Sequence, residues 1–139
     1  MADLAVTASQ LLPGADAGIE SGVSGEAIAQ GDWLYLKASD SRLWKADNDA
    51  AAAEAAECVG QALTAAAAAG QPVRYAARGT VVQGAGAAPV RGTVYVLSST
   101  AGKACPAADL GSGDRVTVLG VGDASNGIKL QIHRSGITV

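Results

Sequence analysis

The sequence contains no phenylalanine, and aromatic residues make up only 4% of its 139 residues. Alanine accounts for 31 residues of a hydrophobic fraction of 49%. A core built from valine, leucine, isoleucine, two tryptophans and three tyrosines buries less apolar area per residue than usual. The length suits one domain with a core and is too short for two comfortable ones. We therefore expect a single domain whose burial could be completed by self-association.

Clusters of basic residues are also missing. The ten lysines and arginines are scattered singly, and the net charge is −3. Neutralising phosphates requires clustered cations, so we expect no nucleic-acid partner. The first residues lack the basic segment and apolar core of a signal peptide, and the chain has no long apolar run. These features predict a soluble protein made in a cytoplasm, with no membrane partner.

Candidate catalytic and metal-binding residues are few. Cys58 and Cys105 lack CxxC spacing, and with the single histidine, His133, they do not make a zinc set. We predict both cysteines as small buried residues and leave a disulfide open as the minor alternative. His133 lies on the polar face of a predicted strand, which favours a solvated or interface histidine over a general base. We expect no enzyme activity, no cofactor and no metal site.

The first 24 residues are predicted to form an extended arm. They carry apolar residues without a helical or strand period, and Pro13-Gly14 breaks the segment. Such a segment buries little by itself. It therefore either lies across its own domain or reaches a neighbour. We predict an arm at residues 1–24 and a single β-rich domain at 25–139.

From residue 25 onward the pattern is typical of β-strands. Alternation predicts a hairpin of 33–37 and 42–45 that carries both tryptophans, and further strands at 59–63, 72–78, 81–82 and 92–97. Alanine and glutamate at 47–57, with Asp47, Asn48 or Asp49 as the cap, predict one short surface helix, and 64–69 predicts about one helical turn. The stretch 98–113 is predicted to be a loop.

The segment RVTVLGVGDASNGIKLQIH at 115–133 fits two incompatible patterns. Gly120-Val-Gly122-Asp-Ala-Ser125 approaches the glycine fingerprint of a dinucleotide site, which requires a βαβ unit of about thirty residues. Only 17 residues follow Gly122, and they alternate with period two. Asn126-Gly127 between two alternating runs is a strong hairpin signal. We predict two strands and a turn.

Two parts of the chain echo each other. AIAQGDWLYLKAS at 27–39 resembles APVRGTVYVLSST at 88–100, and Gly60 and Gly120 lie at corresponding places in the two halves. This similarity suggests two related β-units packed into one domain and leaves open whether they arose by duplication. The predicted fold is mainly β: a small antiparallel β-barrel or sandwich with an extended N-terminal arm and one or two short alanine-rich helical turns.

The order of these segments resembles that of a known family. The arm ADLAVTASQLLPGADAGIESGVSGEAIAQGD leads to LYLKASDSRLWKADND and an alanine-rich stretch, followed by VGQALTAAAAAGQPVRYAARG. The segment GTVYVLSSTAGKACPAADLGSGD and a final short strand complete the pattern. Together they are similar to the capsid cement, or head decoration, proteins of tailed bacteriophages, over essentially the whole chain.

This resemblance implies a small β-rich virion protein that binds the exterior of an expanded icosahedral phage head. Such proteins usually form homotrimers and hold neighbouring major capsid subunits together, and the family has no catalytic residues to carry over. The expected partners are the major capsid protein and further copies of this chain. The family arm often touches the capsid, so we expect capsid or neighbour contacts from its apolar residues: Leu4, Val6, Leu11, Leu12 and Ile19.

Three other functions remain open on the sequence alone. A non-catalytic β-domain of a tail or fibre could bind a host glycan through Trp33, Trp44 or Tyr95 as exposed stacking rings. A small enzyme or cofactor carrier would need a cluster of polar groups, for which the sequence offers no candidate. A generic oligomeric β-domain is the third alternative.

Overall fold

The computed structural model describes residues 3–124 and 126–139, so Met1 and Ala2 of the arm and Ser125 of the glycine-rich stretch lie outside it. The chain is mainly β and forms a curled antiparallel half-barrel, as predicted. The ten strands found in the described residues are β1 (Leu12–Pro13), β2 (Gly18–Val23), β3 (Trp33–Leu36), β4 (Leu43–Lys45), β5 (Cys58–Ala62), β6 (Pro72–Val82), β7 (Val94–Leu97), β8 (Ala104–Pro106), β9 (Arg115–Gly122) and β10 (Gly127–Thr138). Short 3-10 turns lie at Ala8–Gln10, Ala53–Ala56 and Ala107–Asp109.

The sheet runs in the order β4-β3-β5-β6-β10-β9-β7-β8, and β1 and β2 pair with β6 outside this path. β6 is the strand common to both halves. Its first part pairs with β5 and β2, and its last part pairs with β10 and β1. The main core lies between the halves and contains Trp33, Tyr35, Tyr95, Leu119 and Ile128. Three of the five aromatic rings therefore lie in this core.

The two halves repeat the same pairing. At one end of the sheet the short edge strand β4 pairs with β3, and β3 pairs with β5 across a bulge. At the other end the short edge strand β8 pairs with β7, and β7 pairs with β9 across a bulge. The bulges fall at corresponding pairs: Leu34↔Gly60 and Tyr35↔Cys58 in the first half, Tyr95↔Gly120 and Val96↔Val118 in the second. The predicted pair of related β-units therefore corresponds to two four-stranded units joined through β6 and β10.

Strand predictions based on local alternation are confirmed. The tryptophan hairpin forms β3 and β4, with Tyr35 opposite Trp44. The segment at 115–133 forms the β9–β10 hairpin, and Asn126 in its connection takes a positive φ of 60°, whereas Gly127 begins β10 without a positive φ. Gly79 does not end its strand, because β6 continues through it with a φ of +87°. The predicted loop at 98–113 contains β8, which pairs with β7.

The helix predictions are wrong in extent. Only Ala53–Ala56 of the predicted helix at 47–57 forms a turn, of the 3-10 type. Asn48 is instead buried, and its Nδ2 donates to the Leu97 carbonyl oxygen at 2.8 Å. This tertiary bond outweighs the weak propensity of a short alanine-rich segment. The predicted turn at 64–69 is not helical, because Ala66 forms a β-bridge with Ile28.

Two buried glutamines form an unpredicted polar link within the fold. Gln61 on β5 donates from Nε2 to Oε1 of Gln83 at 2.6 Å, and Gln83 donates back to Oε1 of Gln61 at 2.8 Å. Further bonds run from Gln61 to the Gly31 carbonyl and from Gln83 to the Val81 carbonyl, both at 3.1 Å. Both side chains are fully buried, so the Oε1 of each depends on the Nε2 of the other for its hydrogen bond.

Replacing one glutamine should cost more than replacing both. We expect Gln61→Leu to lower the free energy of unfolding by about 2–3 kcal/mol, because the Oε1 of Gln83 is left buried without a donor while its Nε2 keeps only the Val81 carbonyl. The double variant Gln61→Leu/Gln83→Leu should recover part of this loss. Denaturant unfolding of the wild type, both single variants and the double variant measures the coupling. Additive losses would show that the amides act independently.

Gly120 is expected to tolerate no side chain. A Cβ atom there would lie 2.2 Å from the carbonyl oxygen of Lys129, so β9 and β10 would have to separate. We expect Gly120→Ala to destabilise the fold by about 2–3 kcal/mol in thermal or denaturant unfolding. Gly111→Ala is the matched control, because its Cβ would meet Asp114 Oδ2 at an ordinary 3.6 Å. Equal stability of the two variants would contradict this close approach.

Candidate functional site

The predicted arm lies across its own domain. Backbone N–H groups of Leu4, Thr7 and Gly14 donate to carbonyl oxygens of Ala104, Gln83 and Thr80 at 2.7, 3.0 and 2.7 Å. From residue 12 the segment supplies β1 and β2. Of the two arrangements considered for the arm, the structure therefore shows the first for its described residues.

The five apolar arm residues divide into two groups. Leu4 and Leu11 are buried in the main core, and Val6 packs against it. These contacts hold the arm against its own domain, and the Leu4 and Leu11 side chains are not exposed. Leu12 and Ile19 are 61% and 41% exposed. The contact role stays a prediction, and Leu12 and Ile19 are the two of these five residues whose side chains are exposed.

Leu12 belongs to an exposed apolar face on the second half of the sheet. Residues directly opposite in a sheet share a face, and Leu12 lies opposite Val82. In the neighbouring row, Lys129 pairs with Val121, and Val121 pairs with Val94. Val94 and Val121 are 38% and 36% exposed. We name Leu12, Val82, Val94, Val121 and Lys129 the apolar sheet face.

The strands that carry this face are anchored by buried residues and hydrogen bonds. The intervening residues Val81, Ile128 and Leu130 point into the core and are essentially fully buried. At the rim, Thr80 donates to Asp16 from its backbone N–H at 3.0 Å and from its hydroxyl at 3.2 Å. The Thr80 backbone bond is the main reason why the pKa of Asp16 is lowered, and nearby Lys129 adds to it. Apolar side chains on a fixed sheet suit a protein-binding surface.

Only part of this face was predicted from the sequence. Leu12 was among the predicted contact residues, whereas Val94, Val121 and Lys129 were not. Lys129 alternates with buried residues, so its exposure could be predicted from the period of two. The approach of Val94 to Val121 depends on the register between β7 and β9, which alternation within one strand does not specify.

The aromatic rings do not form an exposed platform. Trp33 and Tyr95 are buried, and Tyr95 accepts a hydrogen bond at its hydroxyl from the Val90 N–H at 2.8 Å. Trp44 is half-buried, with Lys37 Nζ 4.4 Å from the ring centroid and its Nε1 donating to Asp40 at 3.1 Å. Of the rings considered for an alternative glycan-stacking surface, Trp33 and Tyr95 are therefore not exposed, and Trp44 is only partly exposed.

The remaining titratable groups are dispersed. His133 is exposed on β10 opposite Val118. Cys58 and Cys105 are free and buried, and burial raises their pKa to about 12 and about 11, the reverse of what a reactive thiol needs. Within residues 3–124 and 126–139, no group of three or more histidine, cysteine or acidic residues is arranged to hold a metal.

Asp47 has the most strongly shifted carboxyl outside the apolar sheet face. Partial burial raises its pKa to about 6, and the neighbouring Asp49 and Asp114 disfavour its charge further. Its Oδ1 accepts a hydrogen bond from the Asp49 N–H at 3.1 Å, and an asparagine side chain could also accept this bond. Ionised Asp47 therefore lowers the stability of the folded protein at neutral pH.

Asp47→Asn should stabilise the protein at neutral pH and not in acid. A carboxyl with a raised pKa contributes stability that is complete below 3.8 and is lost as the pH rises through about 6. We expect a gain of about 1 kcal/mol at pH 7.5, reduced from the full linkage value because the group is partly solvated. Thermal unfolding at pH 4 and 7.5 measures it, with exposed Glu20→Gln as the charge-matched control. An equal gain at both pH values would contradict the assignment.

No helix in the described part of the chain combines the length and apolar character needed to cross a bilayer. No family model, curated protein or solved structure matches this chain.

Proposed function

We propose that this protein is a structural virion protein, a capsid cement or decoration protein that binds the exterior of an expanded phage head. The resemblance of its segments to that family supports the proposal over the whole chain. The observation that carries it is the apolar sheet face, on which Leu12, Val94 and Val121 are exposed around Lys129. The proposed partner at this face is the major capsid protein.

The arrangement of this surface favours association with a partner protein. Association is weakened when flexible segments must be ordered on binding. Here the arm is already tied to the sheet, by Asp16 to Thr80 and by Leu4 and Leu11 in the core. A partner therefore meets a preformed surface. The exposed apolar side chains supply affinity, and Lys129 offers a charge that an acidic group on the capsid can pair with.

The proposed mechanism is additive stabilisation of the mature shell. A homotrimer that touches several capsid subunits gains avidity, since the second and third contacts are effectively intramolecular. A ligand that binds only the expanded lattice stabilises it by about 2.7 kcal/mol per site at a hundredfold excess over Kd. A net charge of −3 suits a site on the outer surface, away from packaged DNA. The proposal involves no catalysis, cofactor, nucleic acid or membrane.

Co-sedimentation with capsids tests the proposed function. The purified protein is mixed with phage shells stripped of it, in expanded and in unexpanded form. We expect saturable binding to expanded shells only, because the cement role requires a surface created by maturation. Absence of binding to either form would reject the role. Equal binding to both forms would reject stabilisation of the mature lattice.

Substitutions on the apolar sheet face test the contact itself. We expect Leu12→Ser and Val121→Ser each to weaken binding to expanded shells about tenfold, because each removes apolar area from the contact. Leu36→Ser is the matched control, since Leu36 is 52% exposed but lies on the other half of the sheet. Sedimentation velocity of each variant reports the oligomeric state. Unchanged shell binding with loss of the trimer would reassign the face to the trimer contact.

A further inference from the structure

A small cleft lies at the end of β9 and β10 away from their hairpin turn. Its volume is about 230 Å³, and it is lined in part by Ala53, Glu57, Arg115, Thr117, Arg134 and Thr138. It therefore forms where the 3-10 turn Ala53–Ala56 meets the first residues of β9 and the last residues of β10. None of these residues belongs to the apolar sheet face.

Both arginines of the cleft are held by backbone carbonyl groups. Arg115 Nη1 donates to the Ala50 carbonyl oxygen at 2.7 Å, and Arg134 Nε donates to the Cys58 carbonyl oxygen at 3.3 Å. Each bond uses one of the five N–H donors of a guanidinium group. The side chains are thus oriented while most of their donors remain available.

Neither arginine is paired with a carboxylate within the described residues. The ion pairs found there, at N–O distances up to 4.0 Å, are Lys45–Glu26 and Lys103–Asp32. Acidic residues outnumber lysines and arginines by 13 to 10, so unpaired arginines are not forced by a shortage of acids. Two cations that line one concavity repel each other, and an anion bound between them would offset this repulsion.

The size of the cleft limits what it could accept. Sites for cofactors and drug-sized ligands occupy about 300–1,000 Å³. A volume of about 230 Å³ is smaller and suits a single small group. The planar guanidinium fork matches the paired oxygens of carboxylates and phosphates.

We propose that this cleft binds a small oxyanion, a phosphate ion or the carboxylate of an acidic side chain, between Arg115 and Arg134. This site is independent of the proposed capsid role. Glu57 also lines the cleft, is exposed, and has no cationic partner within 4.0 Å among the described residues. Its charge opposes an incoming anion, so Glu57 should weaken binding. Replacing Glu57 should therefore strengthen anion binding, whereas replacing an arginine of the cleft should weaken it.

The test is an NMR titration of the folded wild-type protein with two probes, inorganic phosphate and N-acetylglutamate, at constant ionic strength. We expect saturable shifts of the Arg115 and Arg134 Nε–H signals with a Kd on the order of 1 mM for at least one probe. The tighter probe identifies the source: a free phosphate, or the acidic side chain of a protein partner. Absence of saturable shifts with both probes would overturn the proposal.

Variants separate a built site from general charge attraction. Arg134→Gln should weaken binding at least about tenfold, and Arg134→Lys should also weaken it, because lysine keeps the charge but lacks the fork. Glu57→Gln should tighten binding about threefold by removing the opposing charge. Arg91→Gln, at an exposed site outside the cleft, changes the net charge as Arg134→Gln does and should leave the Kd unchanged. Equal losses in the Arg134→Gln and Arg91→Gln variants would show nonspecific attraction only. Thermal unfolding of each variant verifies that it is folded.

Discussion

The pairing of β6 with four other strands is the constraint on which this structure depends. Its eleven residues pair with β5 and β2 first, and with β10 and β1 afterwards. The change of partners occurs at Gly79, where the backbone has a φ of +87° and a Cβ would lie 2.4 Å from the carbonyl oxygen of Asp16. A glycine there lets the arm cross closely while the strand continues. The two halves and the arm therefore depend on the same short stretch.

Features carried by neighbouring residues could be predicted from the sequence. The β3–β4 and β9–β10 hairpins follow from alternation and from the turn signal Asn126-Gly127. The extent of the helix at 47–57 could not, because the burial of Asn48 against the Leu97 carbonyl is a contact between distant residues. The arm was ambiguous for the same reason: whether Leu4 and Leu11 reach their own core depends on the folded domain.

The two β-units show why their similarity is faint in sequence. Strand order and bulge positions are repeated, and these are properties of the backbone. Burial is repeated only in part: Leu34 and its counterpart Tyr95 are both buried, whereas Leu36 is 52% exposed and its counterpart Leu97 is fully buried. Side chains at matching positions therefore meet different surroundings and need not stay alike. Glycines persist where both units require close approach: a Cβ on Gly60 or Gly120 would meet a carbonyl oxygen of the next strand.

Two surfaces of different chemistry lie at opposite ends of the β9–β10 pair. The apolar side chain of Val121 is exposed near the hairpin turn, whereas Arg115 and Arg134 line the same cleft at the far end. Apolar contact contributes affinity without direction, while a charge pair orients a partner and disfavours the wrong one. Because both surfaces lie on one hydrogen-bonded pair of strands, their separation is fixed by the register and not by a flexible linker. A partner that engages both would therefore bind in one orientation.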